Sequence, residues 1–229
     1  MNSPKTFDVQ TVLELSCAAH RLNGTYIKEH EILFSKTGNR IYSNKFLILH
    51  TLGLPVWNDK DGLPPRHLKI LNEDREMADT IRNYFRRLTF AVIEGSDNVF
   101  DSSIHSILNR DEMDSSETGY VAYLPTKYLH EYSENKVEKT SKTCDNLYLG
   151  EPDQTLFDLD SEIVEIRRSK NYDAWNITAI INNKMCSWMT NDTLSFGPAV
   201  IIRAKIKEHS RHWKYNNKVT RLNYVKAAQ

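Results

Sequence analysis

Cysteine is scarce in this chain of 229 residues: three stand at positions 17, 144 and 186. The number is odd and no pair has metal-ligand spacing, so a disulfide framework is not expected and a reducing compartment fits. Long apolar runs are lacking too. Those present, such as Phe46–Leu49 and Ala199–Ile202, fall far short of the about 20 residues that cross a bilayer, so no membrane partner is expected. The polar start, Met1-Asn-Ser-Pro-Lys5, has no apolar export core. No phosphate loop, nucleophile elbow or dinucleotide fingerprint occurs, and no internal repeat. Ser102-Ser103 and Ser115-Ser116 have no matching base nearby. The expectation is a non-enzyme with no cofactor.

Net charge is lacking as well, since 30 basic residues balance 30 acids. The balance conceals polarity. Between Arg203 and Lys226 lie eight basic residues and the single acid Glu208, a net +7; between Asp145 and Glu165 lie seven acids and no Lys or Arg. A segment polarised in this way is an electrostatic footprint for an anionic partner.

Apolar spacing of 3.6 predicts a helix over 8–22, with Val12, Leu15, Ala19 and Leu22 on one face and Gly24 as its stop. Residues 25–50 read as helix or short strands broken at Gly38-Asn39, and 53–66 as a Pro-rich loop. The clearest helix spans 73–93, capped by Asn72, with Met77, Ile81, Phe85 (or Tyr84), Leu88 and Val92 as its stripe. Its Arg82, Arg86 and Arg87 are candidates for phosphate contact but read first as a solvated face completing the dipole pattern. A further helix covers 99–109, and an acidic, Ser-rich loop covers 111–119. Pro125 should interrupt any helix over 120–130. The polar stretch 131–155 reads as a linker or mobile arm, with room for one short helix.

Beyond Thr155 the period becomes two. Strands are predicted over 156–168, 174–182, 185–189, from Gly197 onward, and 218–226, with turns at Asn182-Asn183-Lys184 and Asn216-Asn217. In the fourth strand Val200, Ile202, Ala204 and Ile206 should face one way and Ile201, Arg203, Lys205 and Lys207 the other. Five short strands in about 70 residues suit a small closed barrel. The expected architecture is therefore α+β, with a mainly helical domain over 1–130, a linker over 131–155 and a five-stranded OB-type barrel over 156–229.

Basic residues interleaved with aromatics carry the functional signal. Arg203, Lys205, Lys207, Arg211, Lys214, Lys218 and Arg221 would hold phosphates, while Trp213 and Tyr215 would stack on bases. Cations along a backbone and aromatic faces under bases are how unpaired nucleic acid is held. Trp175 shares a face with Ile177 and reads as core. His209 and His212 sit at a spacing that sends strand side chains to opposite faces, so no metal is expected there. Asp158, Asp160 and Glu162 read as solvated charge on the first strand.

Gly197–His212 and Val219–Lys226 resemble the last two strands of OB-fold modules in uncharacterised proteins of tailed bacteriophages, which also occur in phage replication proteins. Ile163–Arg168, Trp175–Ile181 and Cys186–Met189 match the earlier strands of that pattern; members usually have Gly where Ala204 stands. Asn72–Asp79, Tyr84–Phe90, Ile107–Glu112 and Val121–Pro125 are similar to the helical region of the same proteins. The resemblance implies a single-stranded-DNA-binding phage protein of replication or recombination in the host bacterial cytoplasm, with RNA, phage replication proteins and a homo-oligomer open as partners. A protein-interaction module or a structural virion component is the alternative, with the acidic 145–165 segment covering the basic face. A nuclease with an unrecognised site is a further rival.

Overall fold

The computed structural model describes residues 5–29, 33–34, 38, 40–55, 67–87, 99–169, 172, 174–192 and 194–228. The chain forms two compact units, Met1–Leu129 and His130–Gln229. The first holds β1 (Thr6–Asp8), α1 (Val9–Asn23), β2 (Leu33–Phe34), β3 (Arg40–Ile41), α2 (Asn44–Thr51), α3 (Asn72–Arg87), α4 (Val99–Leu108) and β4 (Glu112–Asp114). The last helix, α5 (Thr118–Thr143), carries residues of both units.

Helix α1 begins where the Asp8 carboxylate accepts the Thr11 N–H at 2.7 Å, and it ends at Gly24, whose φ of 69° no β-carbon residue adopts cheaply. It is buried nearly all round. Val9, Val12, Leu13, Leu15 and Ala19 join Ala78 and Ile81 of α3, Ile104 and Leu108 of α4, and Val121 and Leu124 of α5 in one core. Leu22, expected on the buried stripe, is instead 64% exposed, because it lies in the last turn where the helix leaves that core.

Two further expectations for this unit need correction. Asn72 does not cap α3: its Oδ1 accepts from Arg75, and the Asp74 carboxylate accepts the Leu71 N–H at 2.8 Å. Asp74 also receives both Nε and Nη2 of Arg21, at 2.9 and 2.8 Å, and is only 3% exposed. Burial pushes its carboxyl pKa up, but Arg21 and the Leu71 N–H outweigh burial and hold it below the ordinary value. Nor does Pro125 break the helix, since α5 runs through it. The lost backbone bond is outweighed by burial of Val121, Ala122 and Leu124. Leu88 and Val92 lie outside the described residues. Of the arginines read as a solvated face, Arg86 and Arg87 are exposed and Arg82 is half-buried, but Arg82 and Arg86 also serve the end of a neighbouring helix. Both donate to the Leu108 carbonyl, and Arg82 also donates to Arg110 O, so they cap the carbonyl end of α4.

The second unit is a closed barrel of β5 (Thr155–Arg168), β6 (Trp175–Ile181), β7 (Lys184–Thr190), β8 (Gly197–Arg211) and β9 (Lys218–Ala228), in the order β5-β6-β7-β9-β8. This is the α+β architecture the period-two pattern predicted, and the barrel is compatible with an OB-type fold. All pairings are antiparallel except β7–β9, which is parallel and consists of Cys186↔Thr220 and Ser187↔Arg221. Asn182 and Asn183, with φ of 48° and 58°, form the tight turn between β6 and β7. Ile163, Ile177, Ile181, Trp188, Ile201, Ala204 and Ile206 fill the interior. Ala204, where the resembled proteins carry Gly, is 1% exposed there.

The segment expected as a linker is structured and attached to the barrel. Helix α5 continues to Thr143, and Val137 packs with Val164, Met185 and Val219. After it, Asp145 N–H donates to Asn183 O at 2.7 Å, Leu149 N–H to Thr220 Oγ1 at 2.8 Å, and Lys218 N–H to Asn146 Oδ1 at 2.7 Å. At Gly150 (φ 61°) a β-carbon would meet Ile206 Cδ1 at 2.8 Å. Polar composition hid this segment, because its apolar anchors Val137 and Leu149 are isolated and the rest of its attachment is hydrogen bonds.

Three strands also break strict alternation together. The pairs Leu156/Leu159, Ile201/Ala204 and Leu222/Val225 all pack on the barrel core, though each pair is three residues apart. Two residues therefore stand between them outside the core: Phe157-Asp158, Ile202-Arg203 and Asn223-Tyr224. Asp158 and Tyr224 reach this by positive φ, 49° and 52°, and β8 shifts register against β9 on either side of Arg203. The predicted facing of β8 is corrected accordingly. Ile201 lies inside and Val200 and Ile202 lie outside, the reverse of the simple period.

Replacing Asp74 by Asn leaves the Arg21 guanidinium against a neutral partner, and should cost the first unit about 3 kcal/mol in urea unfolding. His20, with its pKa pushed down by burial to about 4, stays neutral in the fold while the unfolded chain protonates near pH 6.5. Stability of this unit should therefore fall between pH 6.5 and pH 4, by up to about 3 kcal/mol, and His20→Leu should flatten that part of the profile.

Candidate nucleic-acid interface

Beyond the Ser187↔Arg221 pair, β7 and β9 no longer bond to each other. The opening is a groove of about 500 Å³ lined by Trp188 and Met189 of β7, Leu222, Asn223 and Tyr224 of β9, Asn176 and Thr178 of β6, Glu165 and Arg167 of β5, Lys207, Ser210 and Arg211 of β8, and His212 and Trp213 of the following loop. A strand edge without a neighbour offers both backbone polar groups and outward side chains to a ligand.

Of the nine residues assigned from sequence, Lys207, Arg211, Trp213 and Arg221 line this groove. Trp213 is 75% exposed. Lys207 makes no ion pair among the described residues. Arg211 donates to Asn216 O at 3.0 Å, and Arg221 pairs with Glu208 at 2.9 Å. The other five lie elsewhere. Lys214 reaches Glu134 at 3.6 Å and lies over the Tyr215 ring, while Tyr215 packs partly buried beside Val137, Val164, Met185 and Val219. Lys218 sits 5.2 Å over Tyr148, which stacks on His209 at 4.1 Å. Lys205 pairs with Asp153 at 2.7 Å, so one acid of the 145–165 segment does cover one base of the +7 segment. Arg203 is exposed on β8, opposite Phe157 of β5 and Lys226 of β9.

Arg167, Met189 and Tyr224 are among the lining residues absent from the sequence assignment. Arg167, in an ion pair with Glu165 at 3.1 Å, comes from the acidic side of the chain. Met189 and Tyr224 are 48% and 79% exposed. Exposure of Tyr224 was legible only as an aromatic among basic residues, because the turned backbone that presents it leaves no mark on the residue pattern. Trp175, expected in the core, packs partly buried against it with Arg168 over its ring at 5.6 Å.

The loop presenting Trp213 is built around His212. Its Nδ1 accepts the Lys214 and Tyr215 N–H groups, both at 3.3 Å, and its ring stacks on Trp213 and Tyr215. Burial lowers its pKa. Arg167 and Lys214 act in the same direction and Glu165 acts against them, so the imidazole stays the neutral acceptor this loop requires. Elsewhere, burial pushes the Cys17 and Cys186 thiols up to about 12, which removes them as nucleophiles. Among the described residues no group of His, Cys, Asp and Glu is placed to hold a metal ion, and no helix is long and apolar enough to cross a membrane. His212→Phe keeps the stack and removes the acceptor. Amide exchange at Lys214 and Tyr215 should accelerate by about tenfold, with Tyr148 and Thr220 unchanged.

No family model, no curated protein and no solved structure matches this chain.

Proposed function

We propose that the barrel binds single-stranded nucleic acid, DNA in the first instance, in the groove between β7 and β9. The observation that carries this reading is the meeting of four cations, Arg167, Lys207, Arg211 and Arg221, with the exposed rings of Trp213 and Tyr224 around one opening. Among the described residues Glu165 is the one acid lining it and pairs with Arg167, while Arg221 pairs with Glu208 from outside the lining. Phosphates meet the cations, and bases lie on the rings. Asn176, Ser187 and Ser210 supply hydrogen bonds without a base code. Resemblance to phage replication modules supports the same reading, as does the placement of a groove against the second and third strands, where OB barrels take oligonucleotides. On this reading the protein works without catalysis, in replication or recombination of a phage inside its host.

A protein partner is favoured by one observation, the exposed Val200 and Ile202 on the outside of β8. These lie away from the groove lining, so the two readings separate by mutation. Fluorescence anisotropy with a labelled strand of about 30 nucleotides at two salt concentrations is the test. Binding should weaken steeply with salt. Lys207→Gln, Arg211→Gln and Arg221→Gln together should lower affinity at least about tenfold and reduce the salt slope by about two. Absence of binding at low salt, or no effect of the triple variant, sinks the groove reading and leaves the protein-binding one.

A further inference from the structure

Tyr224 is an aromatic residue held at φ 52°, a conformation that costs free energy for any side chain with a β-carbon, and it is 79% exposed. The turned backbone lets both Leu222 and Val225 pack on the barrel core and leaves the Tyr224 ring itself outside it. Phe157 is 59% exposed beside Asp158, which carries the matching positive φ of 49°. Between them the register places Arg203 opposite Phe157 on one side and opposite Lys226 on the other. Cross-strand partners share a face, and Lys226 follows Tyr224 by two along β9. Neither Arg203 nor Lys226 makes an ion pair among the described residues. Tyr224 also lines the groove.

We propose that Tyr224 and Phe157 are stacking platforms, and that Tyr224, Lys226, Arg203 and Phe157 form a second track carrying single-stranded nucleic acid out of the groove. The track crosses the outside of β9, β8 and β5 in that order, and it rests on the groove reading above. The out-of-step positions shared by three adjacent strands are what turn both rings outward. A flat strand would put one residue between core positions, whereas these put two. Lys226 and Arg203 meet the phosphates between the two stacked bases. Asp158 stands exposed beside Phe157, and its carboxylate repels phosphate, which ends the track there. Tyr224 is thus the hinge point of the ligand's path, shared by groove and track.

The experiment compares oligothymidylates of about 6 and about 18 nucleotides, spanning the site sizes of single barrels, by anisotropy with the full chain. Phe157→Ala, and Arg203→Gln with Lys226→Gln, should weaken the long oligonucleotide about tenfold and leave the short one unchanged. Phe157→Trp should bind like the parent, because it keeps a stacking face. Tyr224→Ala should weaken both lengths. Tyr224→Gly removes the ring and accommodates the positive φ, so its Tm should not fall while its binding does; a structural tyrosine would lose Tm. If the long oligonucleotide binds the Phe157 and Arg203/Lys226 variants as tightly as the parent, the track is overturned and the groove stands. If the parent binds neither length, the groove reading fails and the track fails with it.

Discussion

Two residue pairs close the barrel. Cys186↔Thr220 and Ser187↔Arg221 are the two pairs of the β7–β9 ladder, and they convert a five-stranded sheet into a ring. Without them both strands would expose an edge and the interior packed around Ile177, Trp188 and Leu222 would open to water. Their number also sets the chemistry. Because pairing stops at Ser187 and Arg221, the next residues of each strand splay into a groove instead of a ladder, and Trp188 and Leu222 become its inner wall. Closure and the groove are therefore consequences of one short parallel contact.

The neighbouring loop depends on that geometry. Arg211 and Trp213 reach the groove because β8 extends to Arg211 before turning, and His212 then gathers two backbone N–H groups to hold the turn. Tyr215 faces inward against Val137 from the same turn. One short loop thus divides its aromatic residues between a structural and a surface role, with His212 as the pivot. The conformation is set by a neutral ring nitrogen rather than by charge.

Strand positions and turns were legible because they depend on local composition: alternating Ile and Val, paired asparagines, Gly197-Pro198. The helix around Asp8 and Gly24 was legible for the same reason. What escaped were features decided by more distant partners. Continuation of α5 through Pro125 rests on apolar burial around it, and the ordering of 145–150 rests on hydrogen bonds to Asn183, Lys218 and Thr220. At the candidate site, the charged run from Arg203 to Lys226 contributes Lys207, Arg211 and Arg221 to the groove, but its composition did not sort these from the rest. Lys205, Lys214 and Arg221 meet acids from Asp153, Glu134 and Glu208, which only the fold brings near. Tyr224 and Phe157 stand outside because β5, β8 and β9 slip in step, a cooperative event with no signature in any one strand.

Strand order has a consequence for synthesis. The strand made last among these five, β9, is not an edge of the barrel: it lies between β7 and β8. Until it has left the ribosome, a nascent chain can form β5, β6, β7 and β8 only as an open sheet, with β7 and β8 each presenting a free row of N–H and C=O groups. Such edges are templates for pairing with other chains. The interval between translating Arg211 and Ala228 is the period in which this barrel is most exposed to misassembly, and its completion is a single insertion that removes both edges at once.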